Sequence, residues 1–193
     1  MLRFGCVAMT ATRLAIVGTA GRDRHQHLSR ALFLSMVNHA RGQLQLLTTR
    51  HGAIQVVSGG AAWADHVAVA LQHSDTHLFL PAAWDGSRGA FQDTGVRDWR
   101  QNPGGTSNHW HRVFQAATGI PSLLDIGVLV VTGRTTTIQG FHERNKAVAQ
   151  SEYLLAYTWG EGDVPADGGT SHTWGCCTGQ RCHIPLSRLV APT

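Results

Sequence analysis

The chain has a single lysine, Lys146, among sixteen basic residues; the other fifteen are arginines. A phosphate-loop triphosphatase needs its lysine in a Gly-x-x-x-x-Gly-Lys setting, and Lys146 has no such neighbours, which excludes that class. Glutamate is almost as scarce, with only Glu143, Glu152 and Glu161. No apolar run approaches membrane-spanning length. Met1 to Ala8 lacks the long apolar centre of a secretory signal, so the cytoplasm is the expected compartment. The arginines are scattered rather than clustered, which argues against a dedicated nucleic-acid surface.

Cysteine is also sparse. Cys6 stands alone, while Cys176, Cys177 and Cys182 gather beside His183. Thiolate and imidazole suit zinc, yet adjacent cysteines do not easily reach one tetrahedral ion and no second pair exists. Buried free thiols are the other reading. The residues leave both open, and no metal or cofactor is assigned. Twelve histidines make any single one weak evidence for a site.

The 193 residues suffice for one substantial domain, and 42% hydrophobic content fits an ordinary core. Leu14-Ala15-Ile16-Val17 is a continuous apolar run that ends at Gly18-Thr19-Ala20-Gly21-Arg22. His27 to Leu46 shows helical spacing. Ile54 to Val57 then runs into Ser58-Gly59-Gly60, with a helix expected from Ala61 to Leu71. His77 to Leu80 is a third short strand, stopped by Pro81. Strand, glycine turn and helix in repetition predict a Rossmann-like parallel sheet with helices on both faces. Strands buried on both faces read as such continuous apolar runs.

Between Ala82 and Thr118 this rhythm lapses into a turn-rich insert, either a lid or a passive surface loop, with a short helix near His109 to Ala117. Ile120 to Ile138 fits a strand at Val128 to Val131 or a short helix opened by Pro121, with a better strand candidate at Thr135 to Ile138. Glu143 to Gln150 is expected to be helical and Tyr153 to Tyr157 a strand. A helix from Thr170 to about Thr178 and a strand near Cys182 to Pro185 complete the pattern. The domain is drawn at 13–187, with a loose segment at 1–12 and a tail at 188–193.

Ligands on such sheets bind beyond the carboxyl ends of the strands, where each glycine turn falls. The stretch Phe141 to Thr173 carries the last turn, Gly168-Gly169-Thr170-Ser171-His172-Thr173. A strand that meets a Gly-Gly-Thr turn and opens a helix presents backbone N–H groups to a phosphate. The first turn offers backbone donors, the Thr19 hydroxyl and Arg22. Asp65, one helical turn after the second, is either a partner for its own helix start or a hydrogen-bonding group for a ribose or base.

Together, Val17-Gly18 to Arg22, Ser58-Gly59-Gly60 with Asp65, Arg144-Asn145, and Gly168-Gly169-Thr170-x-x-Thr173 resemble the SLOG superfamily. That group holds the Lonely Guy-type phosphoribohydrolases, the DNA-processing protein A family and the YspA/YpsA-like proteins, and the similarity is greatest to the last. The resemblance implies a nucleotide or nucleotide-derived ligand held by these turns, and a homodimer. It departs from the phosphoribohydrolases in one respect. They carry a glutamate shortly after the glycine turn, whereas no Asp or Glu occurs here from Ser171 to the C-terminus.

Two functional classes follow, beside a nucleic-acid handling protein of the DNA-processing kind that the scattered charge disfavours. One is a sensor or binding module that does not turn its nucleotide over. The other is an N-glycosidic-bond hydrolase or transferase with Glu143 or Asp65 as the acid. Glu143 reads equally as a member of a surface ion pair. His172 is a further acid–base candidate, and Trp159 and Trp174 are candidate stacking partners for a base or core residues. The identity of the base and the number of phosphates are not encoded in any of these patterns.

Overall fold

The computed structural model describes residues 11–22, 28–166 and 168–190. Six strands form one parallel sheet: β1 (Thr12–Gly18), β2 (Ile54–Ser58), β3 (Thr76–Leu80), β6 (Thr135–Thr137), β7 (Tyr153–Thr158) and β8 (Gln180–Pro185). Their spatial order is β6-β3-β2-β1-β7-β8. From β1 the chain builds outward through β2, β3 and β6, then returns to lay β7 on the other side of β1. The β1/β7 boundary is therefore the point where the winding reverses, and a crevice opens there at the carboxyl ends of the strands.

Side-chain alternation along the strands divides the core. Leu14, Ile16, Val56, Leu155 and Tyr157 face α1 (Arg30–His51), α2 (Val67–Ala70) and Phe114 of α3 (Pro103–Thr118). Ala15, Val17, Val57, Leu154 and Ala156 face Val148 and Ala149 of α5 (Phe141–Ala149), with Cys177 and Trp174 beside α6 (Gly169–Cys176). Helices thus cover both faces, the arrangement that continuous apolar strands require. Helix α1 is bounded by Ser29, whose Oγ accepts the Leu32 N–H at 3.2 Å, and by Gly52 at φ 78°.

Several local expectations are corrected. Only Val67–Ala70 is helical in the span expected to be a helix from Ala61 to Leu71. The preceding residues make a tight turn with Trp63 at φ 60°, which lets its indole reach the core at 2% exposure. The insert is more ordered than its composition implies. It opens with a hairpin, β4 (Trp84–Asp85) and β5 (Ala90–Phe91), and α3 starts at Pro103 rather than near His109. Asn102 caps that helix by accepting the Gly105 N–H at 2.9 Å, and Pro103 suits a first helical turn.

The ambiguous Pro121 to Gly133 span is helix α4 (Ser122–Val131), not a strand. It leaves Leu124, Val128 and Val131 exposed at helical spacing. At the C-terminal end, Leu186–Leu189 forms a 3₁₀ turn with Leu186 fully buried, where a loose tail had been expected to start at 188. Thr12 already belongs to β1, and the expectations for residues 1–10 and 191–193 lie outside the described residues. Among the described residues no helix is long and apolar enough to cross a membrane.

Candidate functional site

A cavity of about 570 Å³ occupies the β1/β7 crevice. Its walls come from the turn after β1 (Gly18, Thr19, Ala20, Arg22), the starts of α5 and α6, and Ala61 and Asp65 after β2. The first and last glycine turns are tied together directly, because Thr170 Oγ1 donates to the Gly18 carbonyl at 2.9 Å. Asn145 Nδ2 and Thr173 Oγ1 both donate to the Gly169 carbonyl, at 3.1 and 3.0 Å, which fixes α6 against α5. Gly168, just before α6, has φ 100°, a conformation that an L side chain adopts only with strain.

The second glycine turn does more than line the cavity. Ser58 is fully buried and its Oγ donates to the Ile16 carbonyl at 2.6 Å. The Gly60 carbonyl accepts from His111 Nε2 at 3.0 Å. Gly59 lies against the Arg144 guanidinium, where an added Cβ would overlap Nη1. Ser58, Gly59 and Gly60 are absent from the wall, which this turn reaches through Ala61 and Asp65, while Gly59 seats an arginine behind it.

That arginine is buried in the cavity wall and ion-paired. Arg144 Nη1 donates to Asp65 Oδ2 at 3.0 Å, and the two side chains are 6% and 5% exposed. Asp65 also accepts the Ala61 N–H at 3.3 Å. Burial pushes the Asp65 carboxyl above its ordinary range, against the opposing pull of Arg144 and of backbone N–H groups at Ala61 and Gly18. Burial likewise draws Arg144 below its ordinary value, with Asp65 opposing. Arg144 Nε is buried and makes no hydrogen bond within the protein. Arg22 stands at the rim, its pKa lowered first by desolvation and then by the nearby Arg144 cation.

Other expected site residues fall elsewhere. Glu143 is exposed and accepts from Lys146 Nζ at 2.7 Å, which holds its carboxyl below the usual range; it is not in the wall. Gly21 sits behind the wall against the Trp63 indole. His172 is also outside the wall; its ring meets that of His142 at 4.9 Å, and its Nδ1 is buried without a partner. Trp174 packs on Arg181 and His183, and Trp159 packs against the core. Neither tryptophan reaches the cavity.

The cysteine cluster does not converge. Cys177 is buried, whereas Cys176 and Cys182 are exposed. Both His183 nitrogens are engaged, Nδ1 with the Gly162 carbonyl at 2.6 Å and Nε2 with Thr158 Oγ1 at 2.7 Å. Among the described residues no three His, Cys, Asp or Glu side chains are grouped to hold a metal ion.

Sequence reasoning missed Trp99, Arg100, Phe141 and His142, all of which line the cavity. Phe141 and His142 open the very stretch that carries the last turn, so proximity to Arg144 was a usable signal. Trp99 and Arg100 lie in the insert, which the sequence leaves open between a lid and a passive surface loop without singling out either residue.

The chain is 31% identical over 176 residues to an uncharacterized protein, R261, of Acanthamoeba polyphaga mimivirus, covering 86% of this chain and 91% of the viral one. The chain belongs to the same family as that protein. No protein-family model matches it, and no solved structure does.

Proposed function

We propose that this chain, as a member of the mimivirus protein's family, binds a nucleotide or nucleotide-derived ligand in the β1/β7 cavity. It acts as a sensor or binding module. The observation that carries this reading is Arg144: a buried guanidinium with one carboxylate partner and a buried Nε left without one. Such a group is costly unless something completes its hydrogen bonds, and a phosphate oxygen does so well. Among the described wall residues Arg22, Arg100 and Arg144 face one carboxylate, Asp65, so the cavity carries an excess of positive charge. The N-terminal end of α6 adds to it. The resemblance to the SLOG superfamily supports the same ligand class.

Calorimetry with nucleoside monophosphates, before and after Arg144→Gln, tests the reading. Binding that requires Arg144 supports it. Equal affinity in a folded Arg144→Gln protein would remove this cavity from the ligand site.

A second reading, cleavage or transfer at an N-glycosidic bond, rests on Asp65. Its carboxyl is in the cavity wall and is raised by burial, as a general acid needs. Glu143 lacks that placement. The module reading is preferred because Asp65 already serves as counterion to Arg144 and no acid follows the last glycine turn. Release of free base from a nucleoside monophosphate would reverse the preference.

The homodimer and the cytoplasmic setting are part of this proposal. The exposed Leu124, Val128 and Val131 on α4 offer an apolar surface for a second copy. A concentration-independent monomer in sedimentation analysis would refute the pairing.

A further inference from the structure

Trp99 is a large apolar side chain carried on a loop whose other residues, from Gln92 to Asp98, are solvent-exposed. The loop does not hang free. Asn102 draws its two feet together: Nδ2 donates to Asp93 Oδ1 at 2.7 Å and to the Val96 carbonyl at 2.9 Å, while Oδ1 accepts the Thr94 N–H at 3.2 Å. The tip so formed lays Trp99 and Arg100 into the cavity wall, opposite the start of α5.

There the indole meets two rings without stacking on either. Its centroid is 5.8 Å from Phe141 at an interplanar angle of 47°, and 6.1 Å from His142 at 52°. These tilts lie between flat stacking and edge contact, so neither ring covers the indole as a parallel stack would. The Arg100 guanidinium lies 4.4 Å from the indole centroid and helps hold it. Phe141 is itself flanked by Arg22 and Arg144 at 5.4 and 5.7 Å. A cluster of aromatic rings in the cavity wall thus adjoins the buried Arg144.

We infer that Trp99 is the specificity-determining residue of this cavity, and that its ligand is a phosphate ester bearing a flat aromatic ring, the ring against Trp99 and the phosphate toward Arg144. A sugar phosphate without a base would satisfy the guanidinium and make no ring contact with Trp99. The inference rests on the anion-binding reading of the cavity. It goes further in assigning base recognition to the insert instead of the glycine turns.

The test compares AMP, GMP, CMP and UMP with ribose 5-phosphate, by calorimetry and by quenching of tryptophan fluorescence. At least one nucleotide is expected to bind the wild type more tightly than ribose 5-phosphate does. Trp99→Ala is expected to weaken that nucleotide between about fivefold and a hundredfold, the range of base–aromatic stacking. It should leave ribose 5-phosphate unchanged, and Trp99→Phe should restore most of the difference. A circular-dichroism melt confirms that each variant is folded. If ribose 5-phosphate binds through Arg144 as tightly as every nucleotide, or Trp99→Ala weakens both ligand types equally, the inference about Trp99 is overturned while anion binding stands. If no phosphate ester binds the wild type, the anion-binding reading itself fails and this inference with it.

Discussion

Arg144 and Asp65 are 79 residues apart in sequence and form a 3.0 Å ion pair, with Gly59 packed beside the guanidinium. The missing side chain at 59 is what lets the pair lie under the cavity. Gly59→Ala is expected to displace Arg144, cost about 1–3 kcal/mol of folding stability as overpacking does, and weaken phosphate-ester binding. Thermal melts and calorimetry on the same preparation check both parts. An unchanged melting temperature with unchanged affinity would mean that Arg144 has another seat.

Asp65 and Glu143 should behave oppositely when each is replaced by its amide. Asp65→Asn leaves a buried cation without its counterion, an arrangement that costs about 3–5 kcal/mol. Glu143→Gln removes only an exposed contact with Lys146 and should leave melting temperature and ligand affinity as they are. If the wild type releases base from a nucleotide, Asp65→Asn should lose that activity and Glu143→Gln should keep it. Loss on Glu143→Gln would return the hydrolytic role to the exposed acid.

The two glycines before Thr170 are expected to separate stability from binding. Gly168 has φ 100°, so Gly168→Ala should cost about 1–2 kcal/mol in the folded state. Gly169 has no such strain, and an added Cβ would meet Asn145 Nδ2 at 3.5 Å, an ordinary contact. Gly169→Val should therefore fold and show its effect in weakened phosphate binding, by crowding the α6 end of the cavity. Denaturant unfolding paired with calorimetry distinguishes them; a large stability loss at 169 with intact binding would invert the assignment.

His111 predicts a pH dependence. It is fully buried between Ser122 Oγ at 2.9 Å and the Gly60 carbonyl at 3.0 Å, and burial, aided by His66, lowers its pKa to about 3. The Gly60 carbonyl accepts from Nε2–H, so in the neutral ring Nδ1 accepts a hydrogen bond from the Ser122 hydroxyl. Unfolded, the ring titrates near the ordinary histidine value of 6.5. Between those limits the unfolded chain binds more protons, so stability falls as pH drops through that window and is level above it. This group alone removes about 2 kcal/mol between pH 7 and pH 5. His39 and His77, also lowered, act in the same sense, whereas the raised Asp65 acts in the opposite one. Urea unfolding from pH 4 to 8 should show a shallower slope for His111→Gln than for the wild type. Parallel curves would mean that His111 titrates normally.

Parts of this architecture were legible because they depend on local pattern. Leu14–Val17 and Tyr153–Tyr157 are apolar without alternation, and only a strand covered on both faces tolerates that. Glycines at their carboxyl ends located the crevice. The pattern failed where one tertiary contact outweighed propensity: Trp63 leaves the helical conformation to reach the core, and Asn102 closes both a loop and a helix start.

The sequence by itself determined the parallel sheet, its two helical layers and the edge where the glycine turns lie, since burial on two faces and turn chemistry are written in residue order. Only the tertiary structure decided which polar groups share the cavity. Glu143 and Arg144 are neighbours on one helix, yet successive side chains point about 100° apart, and that rotation sends one to solvent and the other to Asp65. Residue order shows both groups equally. The packing of α5 against the second glycine turn chose between them, and the fold of the insert brought Trp99 to the same place.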